Sequence, residues 1–339
     1  MTGASEPPAL PKPAPEASDF FSAEELSGET PIDLTDKLLS ILSLGIPRAI
    51  KTVSARFSAL LGVLILSSLL HALGELHDAG GLSALCDYAV LLSVSGVAYS
   101  VLDSLFSVAQ QTLSGLTVYL TALLPVTSSL LISGGAPTTA ATSAAAFSLF
   151  LSAVELLSSQ VLFPFLRLSF ALCFAGAMPG AADLSPLFSL VKNTSAVLLA
   201  FLYTLLGFLI GIQTTVSAAS DSFLYRTIRF ASGIFIPVVG GLLGEAARTV
   251  AGGAAVIRGT VGTVGLAVTL SLLLPPLIAV LAHRFLLSLS ASLAKMLGCD
   301  KESALLSGLG GILGLLSATL AGSAAVAVLY LACIIKVNG

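Results

Sequence analysis

The residues best spaced for chemistry are His71, Glu75, His77 and Asp78, at the end of an apolar run. His71, Glu75 and Asp78 share one helical face because residues three or four apart are neighbours on a helix. Such side chains can ligate a metal or relay protons. They equally form a polar collar at the end of a membrane span, and we favour that interpretation.

Catalytic signatures are absent from the sequence, which has no Walker A, HExxH or GxSxG motif. We therefore predict a protein without enzymatic activity, catalytic residues, cofactor or metal. Charges inside apolar runs are of more interest, because placing an ion in hydrocarbon costs at least ~2.5 kcal/mol. These intramembrane charges are Glu155, Arg167, Asp87 and Asp103.

Two interpretations of those charges stay open. They line a polar path, or they are structural pairs and end charges that reach the interface. Glu155 and Arg167 flank Pro164, which interrupts a helix. We predict that the two form an ion pair across that break.

The stretch 219–260 combines cationic and helix-breaking residues. Arg226 and Arg229 share one face of an amphipathic helix, and an apolar piece up to Gly244 follows. That piece is interrupted by Gly233, Pro237, Gly240 and Gly241. Irregular backbone at membrane depth is tolerated only when buried in protein or lining a wet cavity. We predict a re-entrant functional segment, and an interfacial loop between amphipathic helices is the alternative.

Composition decides which elements position these residues. The chain has 339 residues, 56% hydrophobic and 10% charged, with a mean hydropathy of +1.01. A soluble domain carries about 25% charged residues. We therefore predict an all-α, polytopic integral membrane protein. Apolar windows of about 20 residues give about eight transmembrane helices, at 57–73, 84–102, 113–133, 142–158, 161–178, 195–218, 261–282 and 313–335. The fourth and fifth windows form either a helical hairpin or one long helix broken at Pro164.

The N-terminal part divides into two segments. Residues 1–33, rich in Pro and Glu, predict a disordered tail. Residues 34–56 predict an amphipathic interfacial helix broken near Gly45 and Pro47, and 57–339 form the membrane domain. Eight of the eighteen acidic residues lie in the first 36 positions, and no basic run marks a nucleic-acid surface. We expect the lipid bilayer, and no nucleic acid, as partner.

Basic residues near the span ends predict the orientation. A cytoplasmic N-terminus places nine of them inside, and the positive-inside rule favours this arrangement. The nine are Lys37, Arg48, Lys51, Arg56, Arg226, Arg229, Arg248, Arg258 and Lys336, against Lys192, Arg284, Lys295 and Lys301 outside. Both termini are then cytoplasmic. Close-spaced glycines, such as Gly310 and Gly314, predict close helix packing within the chain or between copies.

One run carries a family resemblance. Arg226-Thr-Ile-Arg-Phe-Ala-Ser-Gly-Ile-Phe-Ile-Pro-Val-Val-Gly240, with Glu245 to Gly252, Leu124-Leu-Pro-Val and the Asn-Gly end, resembles the stage III sporulation protein AE family of endospore-forming Firmicutes. The likeness extends from about residue 35 to the C-terminus. Two features depart from the family pattern: Arg248 replaces an expected acid, and no cleavable leader is visible. Either the first span directs insertion or a leader precedes this sequence.

The resemblance implies a function that composition does not. Members of that family belong to a multi-protein, secretion-like channel in the mother-cell membrane around the forespore. Implied partners are membrane proteins, ring-forming proteins and a secretion-type ATPase of the same operon, with a homo-oligomer as a further arrangement. Two other functions stay open, a stand-alone secondary transporter or permease and a purely structural membrane scaffold. A transporter predicts broken helices at matching places in two repeated halves.

Overall fold

A computed structural model describes residues 34–76, 80–133, 137–178, 184–208 and 239–336, and within these ranges the chain is helical without any strand. The predicted all-α class is therefore confirmed. The helices are α1 (Leu34–Leu76), α2 (Gly80–Ser133), α3 (Pro137–Leu156), α4 (Phe163–Ala177), α5 (Ser185–Phe208), α6 (Val239–Met296) and α7 (Asp300–Lys336), with a π-helical segment at Leu157–Leu162 between α3 and α4.

Helix α1 joins two elements that the sequence analysis separated. The predicted break near Gly45 and Pro47 is wrong, because the helix runs through both residues into the first predicted span. Gly45 is a place of close packing, since a Cβ there would lie 3.4 Å from Ile278 Cδ1 of α6. Ile41 and Ala49 are buried on either side of it. These contacts hold α1 together at the cost of one backbone hydrogen bond at Pro47.

The predicted count of eight spans is not confirmed. Six stretches of the described residues are long and apolar enough to cross a membrane: Leu39–Leu69, Tyr88–Ile132, Ala140–Ala177, Ser185–Phe208, Val261–Met296 and Asp300–Ala332. The second and third predicted spans are one helix, α2, because residues 103–112 contain no Gly or Pro. Hydroxyls there donate to carbonyls of the preceding turn, Ser107 to Asp103 at 3.0 Å and Thr112 to Val108 at 2.8 Å. These hydrogen bonds satisfy the hydroxyls within the helix, so no loop is needed.

The fourth and fifth predicted spans are also continuous. The π-helical segment Leu157–Leu162 joins α3 to α4, and Pro164 lies in the first turn of α4. Pro164 removes one backbone hydrogen bond where the π-helical segment meets α4, and helices commonly bend at a proline or a π-bulge without ending there. The chain therefore does not reverse at Pro164, and the long-helix alternative is the observed one.

Contacts between helices fix their relative directions. Helices α1 and α6 are parallel, because Gly45 meets Ile278, whereas further along both helices Ser68 Oγ donates to the Leu297 carbonyl at 3.3 Å, just beyond the end of α6. Helices α5 and α7 are also parallel, since Lys192 meets Gly311 and Tyr203 meets Gly322. Consecutive membrane-length helices thus alternate in direction, as a chain that crosses a bilayer repeatedly requires.

A tight turn joins α6 to α7. Gly298 has a φ of +78°, a left-handed conformation that favours glycine. The Cys299 amide donates to the Ala294 carbonyl at 2.9 Å, and the Gly298 amide donates to Lys295 at 3.2 Å. This pattern is a Schellman motif, which satisfies carbonyls at a helix end. Ser67 of α1 covers the turn, with 3.4 Å between its Oγ and Cys299 Sγ. The turn makes α6 and α7 an antiparallel hairpin.

The hairpin α6–α7 is the centre of the molecule. Helices α1 and α2 pack on α6, and α2 and α4 pack on α7. A Cβ on Gly265 would lie 3.3 Å from Leu123 of α2 and 3.2 Å from Leu331 of α7. Tyr330 of α7 stacks on Phe147 of α3, with ring centroids 3.4 Å apart. The large buried side chains therefore collect around this hairpin.

Candidate functional site: polar groups inside the helical bundle

Glu155 is the second-last residue of α3, two positions before the π-helical segment. It lines a cavity of about 130 Å³ with Gln110, Ser114 and Thr117 of α2. Phe163, the first residue of α4, closes part of the same cavity. Single π turns within α-helices are frequent at functional sites. The structure therefore places Glu155, which is exposed, in a small open cavity between α2 and α3.

The predicted Glu155–Arg167 ion pair is wrong. Twelve residues of continuous helix separate the two, which is about 18 Å at 1.5 Å per residue. The pair required a chain reversal at Pro164, and the π-helical segment replaces that reversal. Sequence reasoning treated the proline as a break because a proline inside a helix removes a hydrogen bond.

Arg167 lies level with Asp103 on the neighbouring helix α2. The rings of Tyr99 and Phe170 are 5.4 Å apart, and those of Phe106 and Phe163 are 6.3 Å apart. Asp103 falls between the first members of these two ring pairs, and Arg167 falls between the second members. Both side chains are exposed. Two of the four predicted intramembrane charges thus share one level of the bundle. The fourth, Asp87, lies in α2, but its side chain is outside the described residues.

The segment predicted to be functional is only partly described. Arg226, Arg229, Gly233 and Pro237 lie outside the described residues. The irregular stretch was predicted to extend to Gly244, whereas α6 already begins at Val239. Its backbone is therefore helical at Gly240 and Gly241, which corrects that boundary. Glycine lowers helix stability by about 1 kcal/mol relative to alanine but does not prevent a helix.

An arginine–histidine contact joins α1 to α6, and the sequence analysis missed it. His283 is buried, and its Nδ1 lies 2.7 Å from the Ala279 carbonyl. If Nδ1 carries the proton, it donates to that carbonyl and leaves Nε2 as an acceptor. Arg56 Nη1 lies 3.3 Å from Nε2 and donates to it. The two residues are 227 positions apart, so no local pattern could have paired them.

This contact also changes the use of two basic residues in the orientation count. Arg56 was assigned to the cytoplasm and Arg284 to the outside, but Arg56 contacts the residue next to Arg284. The two arginines therefore lie at one level of the bundle and do not discriminate between orientations. The cytoplasmic location of both termini stays a prediction.

A tyrosine attaches α5 to α7. The Tyr203 hydroxyl lies 3.1 Å from the Thr319 carbonyl and 2.7 Å from Ser323 Oγ. Its ring packs on Gly322, where a Cβ would lie 2.6 Å from two ring carbons. The tyrosine fits only because position 322 has no side chain. Glycine spacing in α7 was the available sequence signal, but it could not identify the partner.

Metal-ligating residues do not cluster in the described part of the chain, where no group of three or more His, Cys, Asp or Glu could hold an ion. The side chains of His71, Glu75, His77 and Asp78 lie outside the described residues. Buried hydroxyls without a hydrogen-bond partner do occur within the described ranges, at Ser169, Thr269 and Ser290. Such groups are uncommon in folded proteins. Within the described ranges, these three buried hydroxyls are thus isolated polar groups in the interior.

Comparison with known proteins places the chain in a family. A curated relative, stage III sporulation protein AE of Bacillus subtilis (strain 168), is 28% identical over 218 residues, covering 61% of this chain and 55% of the relative. The matched stretch thus spans about half the length of that relative. No solved structure matches the chain. A sequence model of one family matches residues 18–338, nearly the whole chain, and the chain therefore belongs to the stage III sporulation protein AE family.

Proposed function

We propose that this chain is a non-enzymatic membrane subunit of a secretion-like channel complex between mother cell and forespore. Its proposed location is the mother-cell membrane that surrounds the forespore. The observation that carries the proposal is the family match across residues 18–338 in a chain with six membrane-length helices. The family match supports a role in sporulation, and the six long apolar helices support a position in the bilayer.

The length of the helices supports a role in an assembly. Helix α2 has 54 residues and α6 has 58. At 1.5 Å per residue they measure about 80 and 87 Å, against a hydrocarbon core of about 30 Å. Each helix is therefore long enough to cross once and continue beyond the hydrocarbon. A continuation of this kind gives partner proteins a surface outside the membrane.

Exposed apolar faces support the same role. Helix α1 exposes Leu39, Ile50 and Leu69, each more than half exposed. Helix α5 exposes Leu190 and Phe201 to at least the same extent. Surfaces of this kind contact lipid or other membrane proteins. The proposed partners are membrane and ring-forming proteins of the same operon, and further copies of this chain.

The segment containing Arg226, Arg229, Gly233 and Pro237 is the proposed functional element. The sequence predicts that Arg226 and Arg229 share one helical face, and such a cationic face can stay at the membrane interface or bind a partner's carboxylates. The glycines and proline of the segment disfavour regular helix in an apolar stretch, so its backbone groups need partners from protein or water. Both features suit a piece of chain that lines or gates a passage.

The test is complementation in a sporulating strain that lacks its own copy of this gene. A fluorescent fusion of the wild-type chain should accumulate around the forespore, and late forespore gene expression and heat-resistant spores should be restored. The Pro237→Ala variant should lose both readouts at normal protein level, whereas the tail variant Pro11→Ala should keep them. Normal spores without the gene would refute the function. Normal spores with Pro237→Ala would refute only the assignment of the segment.

A further inference from the structure

A cavity of about 470 Å³ opens between α6 and α7, on a part of the bundle that the proposed function does not use. Cationic and hydroxyl side chains line it: Arg284, Ser288, Ser292 and Lys295 from α6, and Ser303 and Ser307 from α7. Among the described residues, no Asp or Glu lines it. Two positive charges and four hydroxyls thus share one cavity without an acidic side chain to neutralise them.

Glycines on α7 create this space. Gly310 is buried, yet a Cβ placed on it would meet no atom within 4 Å. A side chain at position 310 would therefore extend into the open cavity. A Cβ on Gly314 would lie 3.2 Å from Arg284 Cζ. The missing side chain at position 314 lets the guanidinium lie against the helix. The spacing of Gly310 and Gly314 predicted close helix packing. In the structure these two glycines instead leave space for the Arg284 side chain and for the cavity.

A third cation approaches from α5. A Cβ on Gly311, which also lines the cavity, would lie 3.3 Å from Lys192 Cδ and 3.7 Å from its Nζ. The Lys192 ammonium also lies 5.7 Å from the centroid of the Phe188 ring. Helices α5 and α6 thus both bring positive charge to this cavity. An anion bound there would lower the electrostatic free energy of all three side chains.

The chemistry of the lining selects among anions. A guanidinium presents donors in a planar fork that matches phosphate oxygens, and an ammonium adds a compact point charge. Serine hydroxyls that do not already donate within the protein can donate to the remaining oxygens. Ser303 Oγ donates to the Ala291 carbonyl at 2.8 Å and Ser292 Oγ to the Ser288 carbonyl at 3.0 Å. These bonds use the single proton of each of the two hydroxyls, so Ser288 and Ser307 are the lining serines that can donate to an anion. The set fits a phosphate group.

An exposed apolar row lies beside the cationic one on α6. Leu281, Phe285 and Leu289 follow one another at four-residue spacing and are 44%, 71% and 40% exposed. Phe285 and Leu289 directly follow Arg284 and Ser288 in the chain, so the apolar row lies next to the cationic row around the helix. A ligand seated in the cavity can therefore lay an apolar part along these side chains. Phospholipids combine the two parts, and basic pockets between membrane helices bind their headgroups.

We propose that the cavity between α6 and α7 binds a phosphate-bearing anion, with the phosphate at Arg284. An anionic phospholipid headgroup and a free phosphate share this chemistry. The apolar row on α6 favours the lipid as the source.

Binding to the purified full chain tests the site without any sporulation assay. The delipidated protein in neutral detergent is titrated separately with phosphatidylglycerol, phosphatidylcholine and inorganic phosphate, and bound ligand is counted by native mass spectrometry. Wild type should bind phosphatidylglycerol in preference to phosphatidylcholine. Arg284→Gln should weaken this binding about tenfold, through loss of one charge-assisted hydrogen bond.

Three further variants distinguish the effect of cavity shape from the effect of charge. Gly310→Leu fills the cavity, retains every charge and should abolish binding, so it provides a test even where Arg284→Gln fails to fold. The matched control Gly96→Leu lies on α2, where a Cβ likewise meets nothing within 4 Å, and should bind as wild type. Arg48→Gln, an exposed charge on α1, should change binding less than Arg284→Gln.

The outcomes distinguish the sources and can refute the site. Phosphatidylglycerol binding that an excess of inorganic phosphate does not displace assigns the cavity to lipid. Phosphate binding lost in Gly310→Leu, without binding of phosphatidylglycerol, assigns it to a soluble phosphate. Equal binding by Gly310→Leu and Gly96→Leu, equal affinity for both lipids, or no binding of either lipid or phosphate would overturn the proposal.

Discussion

The hairpin α6–α7 and the outer helices α1 and α5 are all apolar enough to span a membrane, but they are buried to very different extents. The apolar windows of α6 and α7 each bury 56% of their residues inside the protein. Those of α1 and α5 bury 11% and 17%. Hydropathy reports transfer from water to lipid, and it does not report contact with other helices. The difference lies in small residues and specific contacts, which determine where helices approach closely.

The largest expected contrast is between an aromatic ring in the centre and one at the edge. Tyr330 of α7 is 2% exposed and stacks on Phe147, so Tyr330→Ala leaves a cavity at the hairpin. We expect it to lower the free energy of unfolding by about 3–5 kcal/mol. Phe201 of α5 is 66% exposed, and Phe201→Ala should change stability little. The fraction of monodisperse protein after heating in detergent measures both, and similar losses would contradict the contrast.

A smaller effect is expected from adding a side chain where helices meet. At Gly322 a Cβ would lie 2.6 Å from the Tyr203 ring, whereas at Gly62 of α1 it would meet nothing within 4 Å. Gly322→Leu should therefore destabilise by about 1–3 kcal/mol through overpacking. Gly62→Leu, the matched control, should be neutral. Thermal denaturation in the same detergent compares them, and an equal loss at Gly62 would mean that α1 is covered there by a further contact.

The smallest expected effect is a gain in stability. Thr269 of α6 is fully buried, and its hydroxyl has no hydrogen-bond partner within the described part of the chain. Thr269→Val keeps the shape and removes the unsatisfied group, so we expect stabilisation of about 1 kcal/mol. Thr112→Val is the control, because the Thr112 hydroxyl donates to the Val108 carbonyl at 2.8 Å. A gain in both variants would show that the methyl group matters rather than the missing partner.

Sequence patterns predicted the fold class well and the connections between helices less well. Composition alone identified an all-helical membrane protein, because few other chains have so little charge. The count of about eight spans is not confirmed, because windows of about 20 residues divide a longer helix wherever polar residues interrupt it. Asp103 and Gln110 interrupt α2 in this way, yet its hydroxyls bond to their own helix and no turn forms.

The charged residues within the apolar runs could be predicted from the sequence, but their contacts could not. Glu155, Arg167 and Asp103 stood out because charges are costly in apolar runs. Pairing Glu155 with Arg167 assumed that Pro164 reverses the chain, and a π-helical segment replaces that reversal. The contact between Arg56 and His283 depends on packing between distant helices. A single sequence carries no signal for such a contact.

The contacts between α1 and α6 join residues that the ribosome makes at very different times. Arg56 and His283 are 227 residues apart, and Ser67 and Cys299 are 232 apart. A ribosome adds about 5–20 residues per second, so roughly 11–45 seconds pass between the appearance of the two partners. During that interval Arg56 is already made and its histidine is not. A nascent chain in the bilayer must keep this cation at water or lipid headgroups until the hairpin arrives. The first helix therefore enters the membrane early and reaches its final neighbours among the last.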